Sequence, residues 1–383
     1  MAIAAAEAHS ASPASRPIRV MIVDDSMVAR TAARRALAGA ANVEIVASVS
    51  DGKAAVNAVA TAQPDVLLLD IEMPIMNGLD ALPLLLAKRP GLKIVMVSTL
   101  SKRNAEISLK AMRAGAVDVL LKPAADATGD SMRAFQEELR RTVLSLGTAI
   151  APSEAPVTAT ATAGGAPARK PVARKTAQAN PARRRGPMRV AAIAIGSSTG
   201  GPQALAKVLD GWSKRGPKQP IFITQHMPPT FTGILAEHLS RATGMTAAEG
   251  VSGETVTPGR IYIAPGDRHM LIEASPAGPV IRLNDGPQVN FCRPAVDPMF
   301  ASLAEIYRDG LLAAVLTGMG RDGRDGAEAI RAGGGHVVVQ DEATSVVWGM
   351  PGAVATAGLA DEILPLAEIG PALAALAQGG ATR

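Results

Sequence analysis

Along the chain, short unbroken apolar runs alternate with longer stretches in which apolar residues return every three to four positions, the helical period. In the first part of the chain the runs are RVMIVDD (19–25), VEIVASVS (43–50), DVLLLD (65–70), KIVMVS (93–98) and DVLLK (118–122). Each is followed by a helical pattern, the last of them SMRAFQEELRRTVLSL (131–146). Strand-length runs that are apolar throughout, rather than on alternate residues, predict strands covered on both faces, hence a parallel sheet with crossover helices. A second series reads RVAAIAIG (189–196), PIFITQH (220–226), RIYIAPG (260–266), LLAAVLTG (311–318) and HVVVQD (336–341). Inside it, FTGILAEHLSRA (231–242) predicts a helix, and HMLIEASPAGPVIRLND (269–285) predicts an antiparallel hairpin turning at Pro276–Gly278. The expected class is therefore α/β, with two units that share no convincing internal repeat.

The boundaries follow from where the pattern stops. Residues 148–187 are Ala/Pro/Thr-rich with no hydrophobic period and predict a linker. Residues 1–16 are Ala/Ser-rich and predict a disordered tail. The two units are then 17–147 and 188–376, with a short tail at 377–383. The net charge of +5 changes nothing about the units themselves, because the linker holds seven Lys/Arg against one acid, Glu154, and leaves the remainder slightly acidic. That placement predicts a solvated basic tether and no nucleic-acid surface, and aromatic residues at 2% weaken any base-stacking role. The lone Cys292 excludes a disulfide framework, and no sequence feature activates it. The N-terminus lacks the basic region of a secretion signal. No apolar run reaches the roughly 18–20 residues that span a bilayer. The expectation is a cytoplasmic protein that is not membrane-inserted.

Candidate chemistry clusters at strand ends, where open parallel sheets bind ligands. In the first unit Asp24 and Asp25 follow the first strand, Asp70 ends the third, Ser98 ends the fourth and Lys122 ends the fifth run. Three carboxylates together repel unless a cation is present, and oxygen ligands with open positions suit Mg²⁺. A carboxylate beside Mg²⁺ can attack phosphorus, and a hydroxyl and an ammonium can hold the phosphoryl oxygens.

This unit resembles a response-regulator receiver, with IVDDS, LLLDIEMPIMNG, VMVS and LLKP in the family's order. The resemblance implies a flavodoxin-like five-stranded parallel sheet. It implies phosphorylation on Asp70, Mg²⁺ held by Asp24, Asp25, Asp70 and the backbone of Glu72, and phosphoryl contacts from Ser98 and Lys122. Receivers often carry an aromatic switch residue near the position of Val119.

In the second unit GSSTG fits G-x-S-x-G at Gly196, Ser198 and Gly200, between a predicted strand and helix. A phosphate loop would need a lysine after its last glycine, where Pro202 follows Gly201. A serine nucleophile needs a base. His226 ends a strand at the same sheet edge, and His269 on a loop or hairpin start is a second candidate. His9 lies in the tail, His238 is mid-helix and His336 opens a strand. The base needs an orienting carboxylate, and LTGMGRDGRDG offers Asp322 and Asp325, of which position favours Asp322, since Asp325 could cap the next helix.

IGSSTGGP, ITQHMP, YIAPGDRHM, DPMF, LTGMGRDG and WGMPGAV resemble the catalytic domain of the chemotaxis protein-glutamate methylesterases. With a receiver in front, the resemblance covers nearly all of the chain outside the tail and tether. It implies a doubly wound, mainly parallel α/β domain and a triad of Ser198, His226 and Asp322, with Thr199 and the backbone around Met319 shaping the site. It implies demethylation of glutamate methyl esters on chemoreceptors, with deamidation of receptor glutamines in some members. A histidine kinase is the implied phosphodonor, Mg²⁺ belongs to the receiver, and the esterase needs no cofactor. The family usually shows basic or polar residues where this chain has Phe291 and Cys292. The competing expectations are a phosphorylation-gated scaffold with an inactive triad, a DNA-binding response regulator, which would need a helix-turn-helix after the linker, and a nucleotide-binding oxidoreductase. A tethered receiver is expected to cover the approach to Ser198 until it is phosphorylated.

Overall fold

A computed structural model describes residues 16–40, 42–123, 129–148, 189–212 and 217–379. The expected N-terminal tail lies outside the described residues except for Arg16, which pairs with Asp65 at 2.8 Å. The expected linker lies outside them except for Thr148, which ends a helix, and the last tail is described as far as Gly379.

The first unit alternates β1 (Ile18–Val23), α1 (Met27–Leu37), β2 (Val43–Val49), α2 (Gly52–Ala62), β3 (Val66–Asp70), α3 (Gly78–Lys88), β4 (Lys93–Ser98), α4 (Lys102–Arg113), β5 (Asp118–Leu121) and α5 (Gly129–Thr148). The strands pair in the order β2-β1-β3-β4-β5, all parallel. The unbroken apolar runs are explained by burial on both faces: all of β3, and β4 from Ile94 to Ser98, are buried. Ser26, Asp51, Asn77 and Ser101 accept from the N–H groups of Ala29, Ala54, Asp80 and Asn104, which fixes where α1 to α4 begin. Each such cap contributes about 1 kcal/mol. The chain reverses direction across the sheet between β1 and β3, so the loops after these strands part and leave a crevice.

The second unit contains β6 (Ala192–Ser197), α6 (Gly201–Val208), β7 (Ile221–Gln225), α7 (Phe231–Thr243), β8 (Thr246–Glu249), β9 (Arg260–Ile263), β10 (His269–Glu273) and β11 (Val280–Asn284). It continues with α8 (Val296–Tyr307), β12 (Leu311–Val315), α9 (Arg324–Ala332), β13 (His336–Gln340), α10 (Met350–Thr356), β14 (Glu362–Leu364) and α11 (Leu366–Ala377). Seven strands form a parallel sheet in the order β14-β13-β12-β6-β7-β9-β8. The expected hairpin is β10–β11, antiparallel and outside this sheet. The chain leaves β6 toward β7 on one side and returns to β12 on the other, so the crevice of this sheet opens at the end of β6.

The units are packed on one another. Helix α4 lies against α6 and α7. Met112 and Ala116 of the first unit belong to the same buried cluster as Leu205 and Ile234 of the second.

Candidate active site and phospho-acceptor pocket

In the first crevice the oxygens of Asp24, Asp25 and Asp70 converge within 4.8 Å of one another. Lys122 Nζ lies 2.8 Å from both Asp24 Oδ2 and Asp70 Oδ1. Arg30 holds the β1–α1 loop from below by donating to the carbonyls of Asp24 (2.7 Å) and Asp25 (3.0 Å). Ser98 is buried at the end of β4, one strand from Lys122, whose N–H donates to the Ser98 carbonyl at 2.7 Å. Glu72 is exposed on the loop after β3. Burial pushes the Asp70 carboxyl up to about 6; Lys122 offsets only part of this, and the Asp24 charge adds a smaller rise. A pocket short of positive charge, built of oxygen donors, fits a hard divalent cation.

The second crevice is built from the loops after β6, β7 and β12. The two serines of the loop have different environments. Ser197 is fully buried and donates to Gln225 Oε1 at 2.7 Å, while Ser198 is half-exposed at the mouth. Ser198 N–H donates to the Thr317 carbonyl at 3.0 Å, and the Thr317 hydroxyl donates to the Thr199 carbonyl at 2.9 Å, so the β12 loop clamps the serine loop. The clamp explains two glycines. Gly200 has φ +78, and a Cβ on Gly318 would stand 2.8 Å from that of Ser198.

Parallel pairing sets Ser197 opposite Gln225, and the His226 N–H donates to the Ser197 carbonyl at 3.1 Å. The next residues, Ser198 and His226, therefore leave the sheet side by side. His226 Nε2 lies 2.7 Å from Asp322 Oδ2. With Asp322 ionised, Nε2 carries the proton. Asp322 Oδ2 also accepts from Val296 N–H at 2.6 Å, and Oδ1 from Asp297 N–H at 3.1 Å, the first amides of α8. Burial alone would raise the Asp322 carboxyl, but the His226 contact and these amides hold it down at about 2. Burial would likewise lower His226, yet Cys292 and Asp322 outweigh it and raise the imidazole to about 10.

Cys292 is the residue that sequence reasoning missed. Its Sγ lies 3.3 Å from His226 Nδ1. The thiol arrives from a loop 66 positions away in sequence, which no local pattern reveals. Among the described residues Ser198 Oγ has no hydrogen-bond partner, so this structure joins His226 to Asp322 and Cys292 but not to Ser198. The remaining candidates lie elsewhere. His269 is buried with Nε2 3.0 Å from the Pro287 carbonyl and Nδ1 accepting from Ala295 N–H. His336 sits at the start of β13 beside Glu362. Asp325 is exposed and faces Arg321 and Arg324.

The first unit reaches directly into this crevice. Asp118 Oδ2 accepts from the Thr199 hydroxyl at 2.5 Å, and the Val117 carbonyl accepts from Gly200 N–H at 2.9 Å. Gln203 Nε2 donates to the carbonyl of Met112 at 2.6 Å and also to that of Ala116. Arg141 of α5 stands over the exposed Phe291 ring, 5.9 Å from its centre. Met319 and Val346 pack against the buried cluster of the first unit. Thus Phe291 and Cys292 are both engaged within the chain.

These features define a class: a receiver whose β5 edge is docked on the Ser-bearing crevice of a doubly wound α/β domain. The response regulator receiver domain family matches residues 20–131 and the CheB methylesterase family residues 193–373. The chain is 47% identical over 373 residues to a protein-glutamate methylesterase/protein-glutamine glutaminase of Rhodopseudomonas palustris, covering 95% of both chains. It is 48% identical over 375 residues to protein-glutamate methylesterase/protein-glutamine glutaminase 1 of Paramagnetospirillum magneticum, covering 96% of this chain and 98% of that one. The crystal structure of the Thermotoga maritima CheB methylesterase catalytic domain is 42% identical, with a TM-score of 0.47, over 49% of this chain and 98% of that chain. The chain belongs to the CheB methylesterase family, with a response-regulator receiver in front of the catalytic domain. No helix among the described residues is long and apolar enough to cross a membrane.

Proposed function

We propose that this chain hydrolyses glutamate methyl esters on the cytoplasmic helices of chemoreceptors, releasing methanol, and that it also deamidates receptor glutamines, releasing ammonia. Ser198 is the nucleophile, His226 the base and Asp322 the group that orients it. The observation that carries the reading is the 2.7 Å contact of His226 with Asp322, beside Ser198 at the crevice of the sheet. Ser198 Oγ attacks the ester carbonyl and gives its proton to His226 Nδ1. The imidazolium then protonates the leaving methoxide, and methanol departs. Water, deprotonated by the same nitrogen, cleaves the glutamyl-serine ester and restores a receptor carboxylate and free Ser198. Backbone N–H groups of the serine loop stabilise the oxyanion.

The geometry described is the resting one. Nδ1 rests on Cys292, the Thr199 hydroxyl on Asp118 and the Gly200 N–H on the Val117 carbonyl. A receptor helix has no approach while these groups are occupied. Phosphorylation of Asp70 by a histidine kinase shifts the population toward a receiver that has left the crevice. Asp24, Asp25 and Asp70, with the Glu72 backbone, would hold Mg²⁺, which supplies the positive charge that phosphoryl transfer needs there. Ser98 and Lys122 hold the phosphoryl oxygens. Val119 lies two strand positions from the docked Val117, so the switch acts through packing of the β5 edge rather than through an aromatic rotamer.

The test is incubation of the full chain with methyl-labelled receptor membranes, with and without a small-molecule phosphodonor. Methanol release that rises with the phosphodonor is expected. Binding to receptors without any release, even when phosphorylated, would favour the inactive scaffold instead.

A further inference from the structure

One short turn touches both the base and the receiver. Residues 289–292 close on themselves through two backbone hydrogen bonds, from Cys292 N–H to the Val289 carbonyl at 2.9 Å and from Val289 N–H to the Cys292 carbonyl at 3.1 Å. The central residues, Asn290 and Phe291, have φ +52 and +64. Asparagine tolerates that left-handed region, whereas a bulky side chain enters it at a steric cost. On its inner side the turn is pinned twice. Asn290 Nδ2 donates to Asp322 Oδ1 at 3.0 Å, and Cys292 Sγ lies 3.3 Å from His226 Nδ1. On its outer side the exposed Phe291 ring lies under the guanidinium of Arg141, on receiver helix α5, at a distance where a cation is attracted to the ring face.

The inner contact bears on the chemistry. His226 Nε2 is committed to Asp322, so Nδ1 is the ring atom left to take a proton from Ser198. A thiol at Cys292 donates to the Nδ1 lone pair, and a thiolate there accepts from a protonated Nδ1. In either form Nδ1 has no lone pair to offer Ser198. Burial disfavours the charged ring, yet Cys292 and Asp322 outweigh it, and a charged ring is no base. Ser198 Oγ, half-exposed, correspondingly has no hydrogen-bond partner among the described residues. This occupation of the base is separate from the covering of the crevice. A reagent small enough to pass a docked receiver still meets a base already in use.

We propose that Cys292 is a positioning residue that keeps the base out of use: in the docked chain its side chain occupies His226 Nδ1, the atom that must take the Ser198 proton, and the receiver holds it there by pressing Arg141 on Phe291. When the receiver leaves, the turn relaxes, Nδ1 is freed and Ser198 takes the place of Cys292. The inference rests on the triad reading given above.

The experiment follows labelling of the full, unphosphorylated chain by diisopropyl fluorophosphate, which is far smaller than a receptor helix. Ser198 Oγ bonds to phosphorus, fluoride leaves, and the serine proton goes to His226 Nδ1. Cys292→Ala should label Ser198 about tenfold faster than the unsubstituted chain, the factor expected for losing one hydrogen bond of ordinary strength. Its radius of gyration in solution scattering should not change, since the units stay docked. With a phosphodonor present the two chains should label at the same rate. Equal rates in the resting chains, or a faster rate that comes with a larger radius, overturn the proposal. Arg141→Gln should also speed labelling, but should add nothing in a chain that already carries Cys292→Ala; an equal gain in both backgrounds overturns the receiver's part. If Cys292→Ala does not fold, Cys292→Val removes the same contact while filling the space, and the same rates decide. The triad reading fails separately, through a label that maps to a residue other than Ser198, whatever the Cys292 variants do.

Discussion

Asp70 and Asp322 occupy equivalent places in two parallel sheets, each beside the point where the chain reverses direction, and their environments drive them opposite ways. Asp70 is buried among Asp24, Asp25 and one lysine, and its carboxyl rises to about 6. Asp322 is buried more completely, yet two backbone amides, Asn290 and His226 surround it and its carboxyl falls. Burial pushes both upward; at Asp70 the one lysine does not outweigh it, and at Asp322 the donors do. A carboxylate held among other carboxylates wants a cation or a covalent partner that removes charge. A carboxylate held among donors keeps its charge and lends it to an imidazole. The fold supplies the crevice, and the neighbours set which way each carboxylate is driven, which supports the proposed roles of phosphoryl acceptor for Asp70 and orienting group for Asp322.

The sharpest way to break this comparison is to remove the nucleophile. Ser198→Ala should reduce methanol release by about 10⁵-fold, because a methyl group cannot attack, while circular dichroism stays unchanged. Near wild-type release would end the triad reading. Next in size, Asp322→Asn should cost about 10⁴-fold in kcat, since an amide can hold His226 in the wrong tautomer. Its counterpart Asp70→Asn should leave basal release intact and abolish the response to a phosphodonor. If both carboxylates behaved alike, the contrast drawn from their neighbours would be wrong.

A smaller effect tests the coupling of the two crevices. Removing residues 1–187 frees Thr199 and Gly200 from Asp118 and Val117, and should raise basal release about tenfold, as for an open form that is a minor state of about ten per cent. An unchanged or lower rate would mean that the receiver contributes positively to catalysis or receptor docking. The smallest effect is on stability and has opposite signs at the two sites. Asp70, raised on folding, weakens the fold as pH rises from about 4, its unfolded value, through about 6. Asp322, lowered on folding, contributes stability that is present above about 4 and is lost as pH falls toward about 2. Accordingly, Asp70→Asn should raise the melting temperature at pH 7 by a few degrees, about what 1–2 kcal/mol produces in a domain of this size, and Asp322→Asn should lower it. Thermal melts at pH 7 and pH 5 check both signs.

What the sequence made legible was whatever repeats locally. Ten apolar runs marked ten strands of the two parallel sheets, and the hairpin was marked by its turn. Strands β8 (TAAE) and β14 (EIL) escaped, because short edge strands bury too little to impose an apolar run. Parallel pairing also made the adjacency of Ser198 and His226 readable, since both follow strand ends at one edge. Contacts made by loops were not readable. Cys292, Asn290 and Asp297 meet His226 and Asp322 across large sequence distances, through backbone with positive φ at Asn290 and Phe291. The Asp118–Thr199 contact was hidden for the same reason, since the expectation of a covering receiver named no residue that does the covering.

The buried cluster that runs from α4 into α6 and α7 carries a thermal consequence. Part of each unit's oily surface is kept dry only by the other. A resting chain should therefore melt as one cooperative body, and parting the units exposes Met112, Ala116, Leu205 and Ile234 to water. The tendency of such surfaces to stay together weakens on cooling. The latch between the two units is then a thermometer as well as a phosphate sensor, held more loosely in the cold at any given level of phosphorylation.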